Sequence, residues 1–264
     1  NGEGLQHQDG HSHLLFSTIP NCICYDPAYA YELAVIIQDG LRRMYKEQES
    51  VFYYITTMNE NYPHPEIPPG SEEAIIKGMY LLEDGGSKEY KVKGKAATEL
   101  RLRLLGADTL LREVRKAATI LRQQFKVSVD VWSVTSFNEL RRDGLSAERE
   151  NMLNPSRKKD RVPYVTECLS GKKGPVIAST DYMKLYADQI REFVPDRFRV
   201  LGTDGFGRSD SRVKLRKFFE VARHYVVLAD LSELKEEGVV NATAINKFMK
   251  EQGIDPGKAD PLTV

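Results

Sequence analysis

The sequence predicts an α/β protein, a mostly parallel sheet with helices on both faces, preceded by a shorter α/β segment. Two observations predict the class: short apolar, β-rich runs alternate with segments of helical period, and those runs are flanked by glycine or charged loops, which suits an open, largely parallel sheet covered on both faces. A third observation divides the chain. Pro63, Pro65, Pro68 and Pro69 fall within Asn59 to Gly70, too many for a helix or strand, and mark a linker.

Ile19 to Asp26 (IPNCICYD) reads as a strand, and Asp26-Pro27 as N-cap and first residue of a helix over Ala28 to Tyr45. Tyr31, Ala34, Val35, Leu41 and Tyr45 keep its period, and Arg42, Arg43 and Lys46 complement the dipole in its last turn. Val51 to Thr57 (VFYYITT) is a second strand, so strand, helix and strand form a parallel βαβ unit. Beyond the linker, strands are expected at Ala74 to Leu82, Ala97 to Leu105, Val127 to Ser133, Pro175 to Ser179 and Phe198 to Leu201. Helices are expected at Thr109 to Gln124, Phe137 to Asn151, Pro163 to Ser170 and Lys184 to Phe193. Three more close the chain, at Leu215 to Phe219, His224 to Glu237 and Ala242 to Gln252.

Equal numbers of Lys+Arg and Asp+Glu, 38 each, exclude a general nucleic-acid binder, and 41% hydrophobic residues suit a globular core. No apolar run approaches the roughly 20 residues of a membrane span. Cys22 and Cys24 are expected to project from opposite faces of their strand, which would prevent easy bridging, and with Cys168 make an odd count. A reducing, cytoplasmic setting is expected. The loop-like opening, without Met or an apolar leader, suggests part of a longer protein.

The densest chemistry lies in Asn1 to His13, which holds three of the five histidines. Glu3 and His7 are four apart, so one helical turn at Gly4-Leu5-Gln6 places them on one face, where a carboxylate fixes the imidazole tautomer and suits it to proton transfer. A solvated glycine-rich loop is the bland alternative. The His7-Gln8-Asp9-Gly10-His11 stretch is similar to a zinc-hydrolase H-E-x-x-H helix, but Gln8 stands where that motif needs its general base and Gly10 weakens the helix. Gly202 to Ser211 (GTDGFGRSDS) follows a strand and precedes a helix, where anions bind; it satisfies neither G-x-G-x-x-G nor a phosphate loop. Close packing by its glycines, with Asp210 or Ser209 as a plain N-cap, is the favoured reading. Asp181 to Lys184 and Ser133 to Phe137 are further loops at strand C-terminal ends, where open sheets meet ligands. Trp132 and Tyr53-Tyr54 are read as packing residues, and Arg141-Arg142 and Arg157 to Lys159 as solvated faces.

Taken together, NGEGLQHQDGHSH, IPNCICYDPAYAYELAVI, VFYYITTMNENYP, SVDVWSVTSFNELRRDG, VPYV, ASTDYMKL and GTDGFGRSDSR resemble, in one collinear order to about Tyr225, the C-terminal part of the homodimeric pyruvate dehydrogenases. GTDGFGRS is also similar to a stretch of transketolase-like C-terminal domains. The resemblance implies that residues 1–67 end a middle, pyrimidine-binding domain and that 68–264 form a transketolase C-terminal-like domain. It implies thiamin diphosphate- and Mg2+-dependent oxidative decarboxylation of pyruvate, with acetyl transfer to a lipoyl group of dihydrolipoyl acetyltransferase. It places Glu3 and His7 in the active-site wall, assigns no role to His11, His13 or His64, and leaves the diphosphate, Mg2+ and aminopyrimidine ligands outside this chain. The chain alone is then expected to be inactive. The alternative is a non-catalytic dimerisation or anion-binding α/β module.

Overall fold

The computed structural model describes residues 4–86, 89–90, 98–171 and 173–264. Glu3, one of the two expected site residues, lies outside them, as does residue 97, the expected start of a strand. In the N-terminal unit β1 (Cys22–Tyr25) and β2 (Phe52–Ile55) pair in parallel, Cys22 opposite Phe52, with α2 (Ala30–Leu41) between them in sequence. The expected βαβ pattern is present. Before it come a single 3-10 turn, Leu5–His7, and the short helix α1 (Ser12–Phe16).

Asp26 does not cap α2, which corrects the sequence reading. The cap is Tyr29, because Glu32 reaches back with one carboxylate oxygen to the Ala28 and Tyr29 N–H groups, 2.5 and 2.9 Å away. His64 accepts the next free donor, Ala30 N–H at 3.0 Å. Cys22 and Cys24 also depart from expectation. Residues two apart in a strand share a face, and these sulfurs lie 3.8 Å apart, buried and unbridged. Burial, with Cys22 adjacent, pushes the Cys24 thiol up to about 12.

No regular element occurs between β2 and Ser71, as the prolines require. The expected strand at Ala74 is instead α3 (Glu72–Lys77) followed by β3 (Met79–Glu83). Glu72 and Glu73 occupy the first turn, Lys77 the last, and Gly78 ends the helix at φ 109°, a conformation that favours glycine. The short pair β4 (Glu89–Tyr90) and β5 (Thr98–Glu99) leads to β6 (Arg101–Gly106). Then follow α4 (Leu110–Ile120), β7 (Ser128–Val134), α5 (Phe137–Leu153), α6 (Tyr164–Leu169), β8 (Val176–Ser179), α7 (Lys184–Asp188) and β9 (Phe198–Leu201). The helix expected from Lys184 to Phe193 divides, its second half being a 3-10 turn at Arg191–Phe193. Helices α8 (Arg212–Phe218), α9 (Arg223–Glu236) and α10 (Ala242–Glu251) complete the chain.

The large sheet has the order β3-β7-β6-β8-β9, parallel throughout except for β3 at one edge. Pleating sends Leu102 and Leu104 into one core with α4 and α9, and Leu105, Ala178 and Val200 into the other with α5 and α7. Both faces are thus covered, as the alternation of strands and helices predicts. From β6 the chain adds β7 on one side and β8 on the other. The loops after β6 and β8 therefore diverge, leaving a crevice at the strand C-terminal ends.

Candidate functional site

That crevice opens into a cavity of about 430 Å³ between the two units. Asp108 and Asp181 enter it from the two diverging loops, and Asp26 enters from the end of β1. Arg208, Arg212 and Arg216 stand on another wall, and His7, Gln8, Asp9 and Gly10 form part of the rim.

The floor carries unusual electrostatics. Asp26 is buried, and desolvation, with Asp181 and Glu32 nearby, pushes its carboxyl up to about 7 despite a 2.7 Å hydrogen bond from Thr56 Oγ1. Asp108 is raised well above the carboxylate range by burial and by Asp26, and Asp181 is raised by burial against the opposing pull of Arg216. Asp26 Oδ2 and Asp108 Oδ1 are buried without a hydrogen-bond partner among the described residues. Glu60 binds Arg112 and Arg216 at 2.6 Å and Arg212 at 3.4 Å, so much of the basic wall is neutralised from within.

Behind the floor runs a hydrogen-bonded chain. Thr56 Oγ1 lies 2.7 Å from Asp26 Oδ1 and 2.8 Å from His13 Nε2. The buried His13 ring stacks on Tyr186, meets Tyr54 and Tyr182 edge-on, and is held neutral by desolvation, down to about 4.

His7 lies on the rim, exposed, at the end of the Leu5–His7 turn. The turn expected at Gly4-Leu5-Gln6 therefore exists, one residue further along. His11 is exposed and His13 buried, so the three histidines do not converge. Among the described residues no group of His, Cys, Asp or Glu can hold a metal ion. In Gly202 to Ser211 close packing prevails: a Cβ on Gly202 would lie 2.6 Å from the Tyr182 carbonyl oxygen. The cap of α8 is Ser211, not Asp210 or Ser209; the Asp210 carboxylate instead accepts from Ser211 N–H. Arg142, read as solvated, donates to the carbonyls of Ile19 and Cys22. The sequence reading marked the Asp181–Tyr182 loop but missed Asp26, Thr56 and Asp108 as a group, because 30 to 82 residues separate them and no spacing signals their meeting.

Residues 78–222, more than half the chain, match the family described as the transketolase-like C-terminal domain, and residues 1–65 match the pyruvate dehydrogenase E1 component middle domain. The chain belongs to the transketolase-like family. Within it, the chain is similar over nearly its whole length to pyruvate dehydrogenase E1 components. It is 60% identical to that of Pseudomonas aeruginosa over 99% of its length and 54% identical to that of Escherichia coli over 99%. It spans 29% and 28% of those relatives. Solved transketolases share the fold: that of Campylobacter jejuni at TM-score 0.59 and 20% identity, covering 88% of this chain and 29% of the other, and that of Leishmania mexicana at 0.55 and 17%, covering 91% and 30%. No helix among the described residues is long and apolar enough to cross a membrane.

Proposed function

We propose that this chain is the C-terminal portion, residues 1–67 of a middle domain and 68–264 of a C-terminal domain, of a cytoplasmic, homodimeric, thiamin diphosphate-dependent enzyme. In the longer protein the reaction is oxidative decarboxylation of pyruvate, with the acetyl group passed to a lipoyl group on dihydrolipoyl acetyltransferase. The observation that carries this reading is the 60% identity over 99% of the chain.

The cavity does not fit a diphosphate. Asp26, Asp108 and Asp181 crowd its floor, and a phosphate brought there would force protons onto them or be repelled. We therefore assign the diphosphate and Mg2+ to residues outside this chain. The part this chain offers is His7. Exposed on the rim, its imidazole is free to donate or accept a hydrogen bond at a substrate oxygen and to assist proton transfer there, with Glu3 in support.

His7→Ala in the full-length protein is expected to lower kcat for pyruvate decarboxylation by about 100-fold, within the usual range for loss of an acid–base group. Unchanged turnover would remove His7 from the mechanism. The isolated 264-residue chain, supplied with thiamin diphosphate and Mg2+, is expected to give no decarboxylation; measurable carbon dioxide release would overturn that division of labour.

A further inference from the structure

We infer that the C-terminal unit grips the segment 8–13 in its own sheet crevice, and that Tyr182 and Gly207 are positioning residues that set where His7 stands. The inference rests on the reading of His7 given above. In open α/β sheets the crevice where neighbouring loops diverge is the usual seat of a ligand. Here much of it is taken by the chain itself. Tyr182, three residues past β8, donates its hydroxyl to Asp9 Oδ2 at 3.1 Å, and Met183 N–H donates to the Gly10 carbonyl oxygen at 3.1 Å.

Gly207 lies so close to Gln8 that a Cβ there would stand 2.5 Å from the Gln8 Cβ. From α5, Asn138 Nδ2 donates to the His13 carbonyl oxygen at 2.9 Å, and Tyr182 and Tyr186 enclose the His13 ring. Three successive residues, Gln8, Asp9 and Gly10, are thus fixed from the C-terminal unit.

His7 immediately precedes them. Among the described residues its ring has no hydrogen bond; its backbone N–H bonds only within its own turn, to Gly4 at 3.0 Å. Its placement is therefore inherited from the clamped residues that follow. Asp9 is the hub. Although partial burial pushes its carboxyl upward, hydrogen bonds from Ser12, His11 and Tyr182 hold it below the usual range, so it stays an ionised acceptor.

The test is a double-mutant cycle in the full-length protein with pyruvate, joined to amide hydrogen exchange. Tyr182→Phe, which keeps the ring packing on His13, is expected to lower kcat about 10-fold, the effect of a small misplacement of a reacting group. In a His7→Ala background the same change is expected to cost less than about 2-fold, because the residue it acts through is gone. Full additivity of the two losses would overturn the inference. Amide exchange over residues 9–13 is expected to quicken about 10-fold in Tyr182→Phe and in Gly207→Ala; unchanged exchange in both would overturn it equally. If His7→Ala leaves kcat unchanged while exchange quickens, the catalytic reading of His7 fails and the clamp stands as a structural one.

Discussion

The two units are held together by different chemistry. The C-terminal unit has a five-stranded sheet between two apolar cores, one around Leu104, Val131 and Val226 and the other around Leu105, Phe137 and Tyr186. Among the described residues the N-terminal unit has a two-stranded sheet and one small cluster, in which Ile23, Tyr25 and Ile36 are completed by Ile75 and Tyr80 from beyond the linker. A two-stranded sheet is marginal alone. Its seam is fastened with polar groups: Glu32 Oε1 accepts from Tyr80 Oη and Ser133 Oγ, both at 2.6 Å, Ser136 Oγ donates to the Cys24 carbonyl at 2.6 Å, and Asp26 N–H donates to the Thr135 carbonyl at 2.7 Å. Apolar packing stabilises without prescribing one orientation, whereas each of these bonds prescribes one. The seam is where position matters most, since it holds Asp26 at the floor of the cavity.

The sharpest way to break this contrast is to attack both regions and compare. Phe137→Ala, in the apolar core, is expected to cost up to about 5 kcal/mol and to lower the whole denaturation curve. Glu32→Ala is expected to cost about 4 kcal/mol, because four buried donors, Ala28 N–H, Tyr29 N–H, Tyr80 Oη and Ser133 Oγ, lose their acceptor at roughly 1 kcal/mol or more each. Its signature differs from that of Phe137→Ala. Exchange should quicken first in α2, α3 and β3, and an equal loss of protection across α4 and α9 would mean that the seam is not a separate level of structure. His13 gives a third test. Its folded pKa is depressed to about 4 from 6.5, so the unfolded state takes up the proton first as pH falls, and stability present above 6.5 is lost between 6.5 and 4, by roughly 3 kcal/mol. Urea midpoints measured across that window in native and His13→Gln proteins would separate this loss from general acid unfolding; parallel curves would refute it.

The same contrast explains what the sequence could reveal. Elements made by local periodicity were legible: α2, α4, α5 and α9 fall where the 3.6-residue pattern places them, and β7, β8 and β9 where apolar runs occur. Helix α3 was obscured because Ala74, Ile75 and Ile76 make an apolar triplet that reads as a strand, and only Ser71, the two glutamates and Gly78 betray the helix. Seam residues were largely illegible. Asp26 has the local look of a helix cap, and its actual role depends on Thr56, thirty residues on, and on Asp108, eighty-two residues on. Arg142 has the look of a surface residue until the carbonyls of Ile19 and Cys22, about 120 residues earlier, arrive beside it. Apolar patterning is written into neighbours in sequence, but a buried polar contact is written into two distant residues, neither of which signals the other.

The finest test of the contrast is Asp26→Asn. If seam polar groups are kept for position rather than stability, removing a buried ionisable one while keeping its acceptor should stabilise the protein. The sign follows from the raised carboxyl, about 7 in the folded chain against 3.8 for the free group. Below pH 4 both states hold the proton and the substitution is nearly neutral. From pH 4 to 7 the unfolded native chain ionises while the folded one does not, so native stability falls with rising pH, and the asparagine variant escapes that fall. Above pH 7 the difference levels off. The introduced amide would still accept from Thr56 through its oxygen, but its NH2 group would need Asp108 Oδ1 as a partner, so part of the gain is offset and the net effect is on the order of 1 kcal/mol, or about 2–4 °C in Tm. Scanning calorimetry at pH 4.5 and pH 8 on both proteins decides the matter. A variant less stable than native at pH 8 would mean that the carboxyl, not merely the oxygen that accepts from Thr56, is what holds β1 to β2 beneath the cavity.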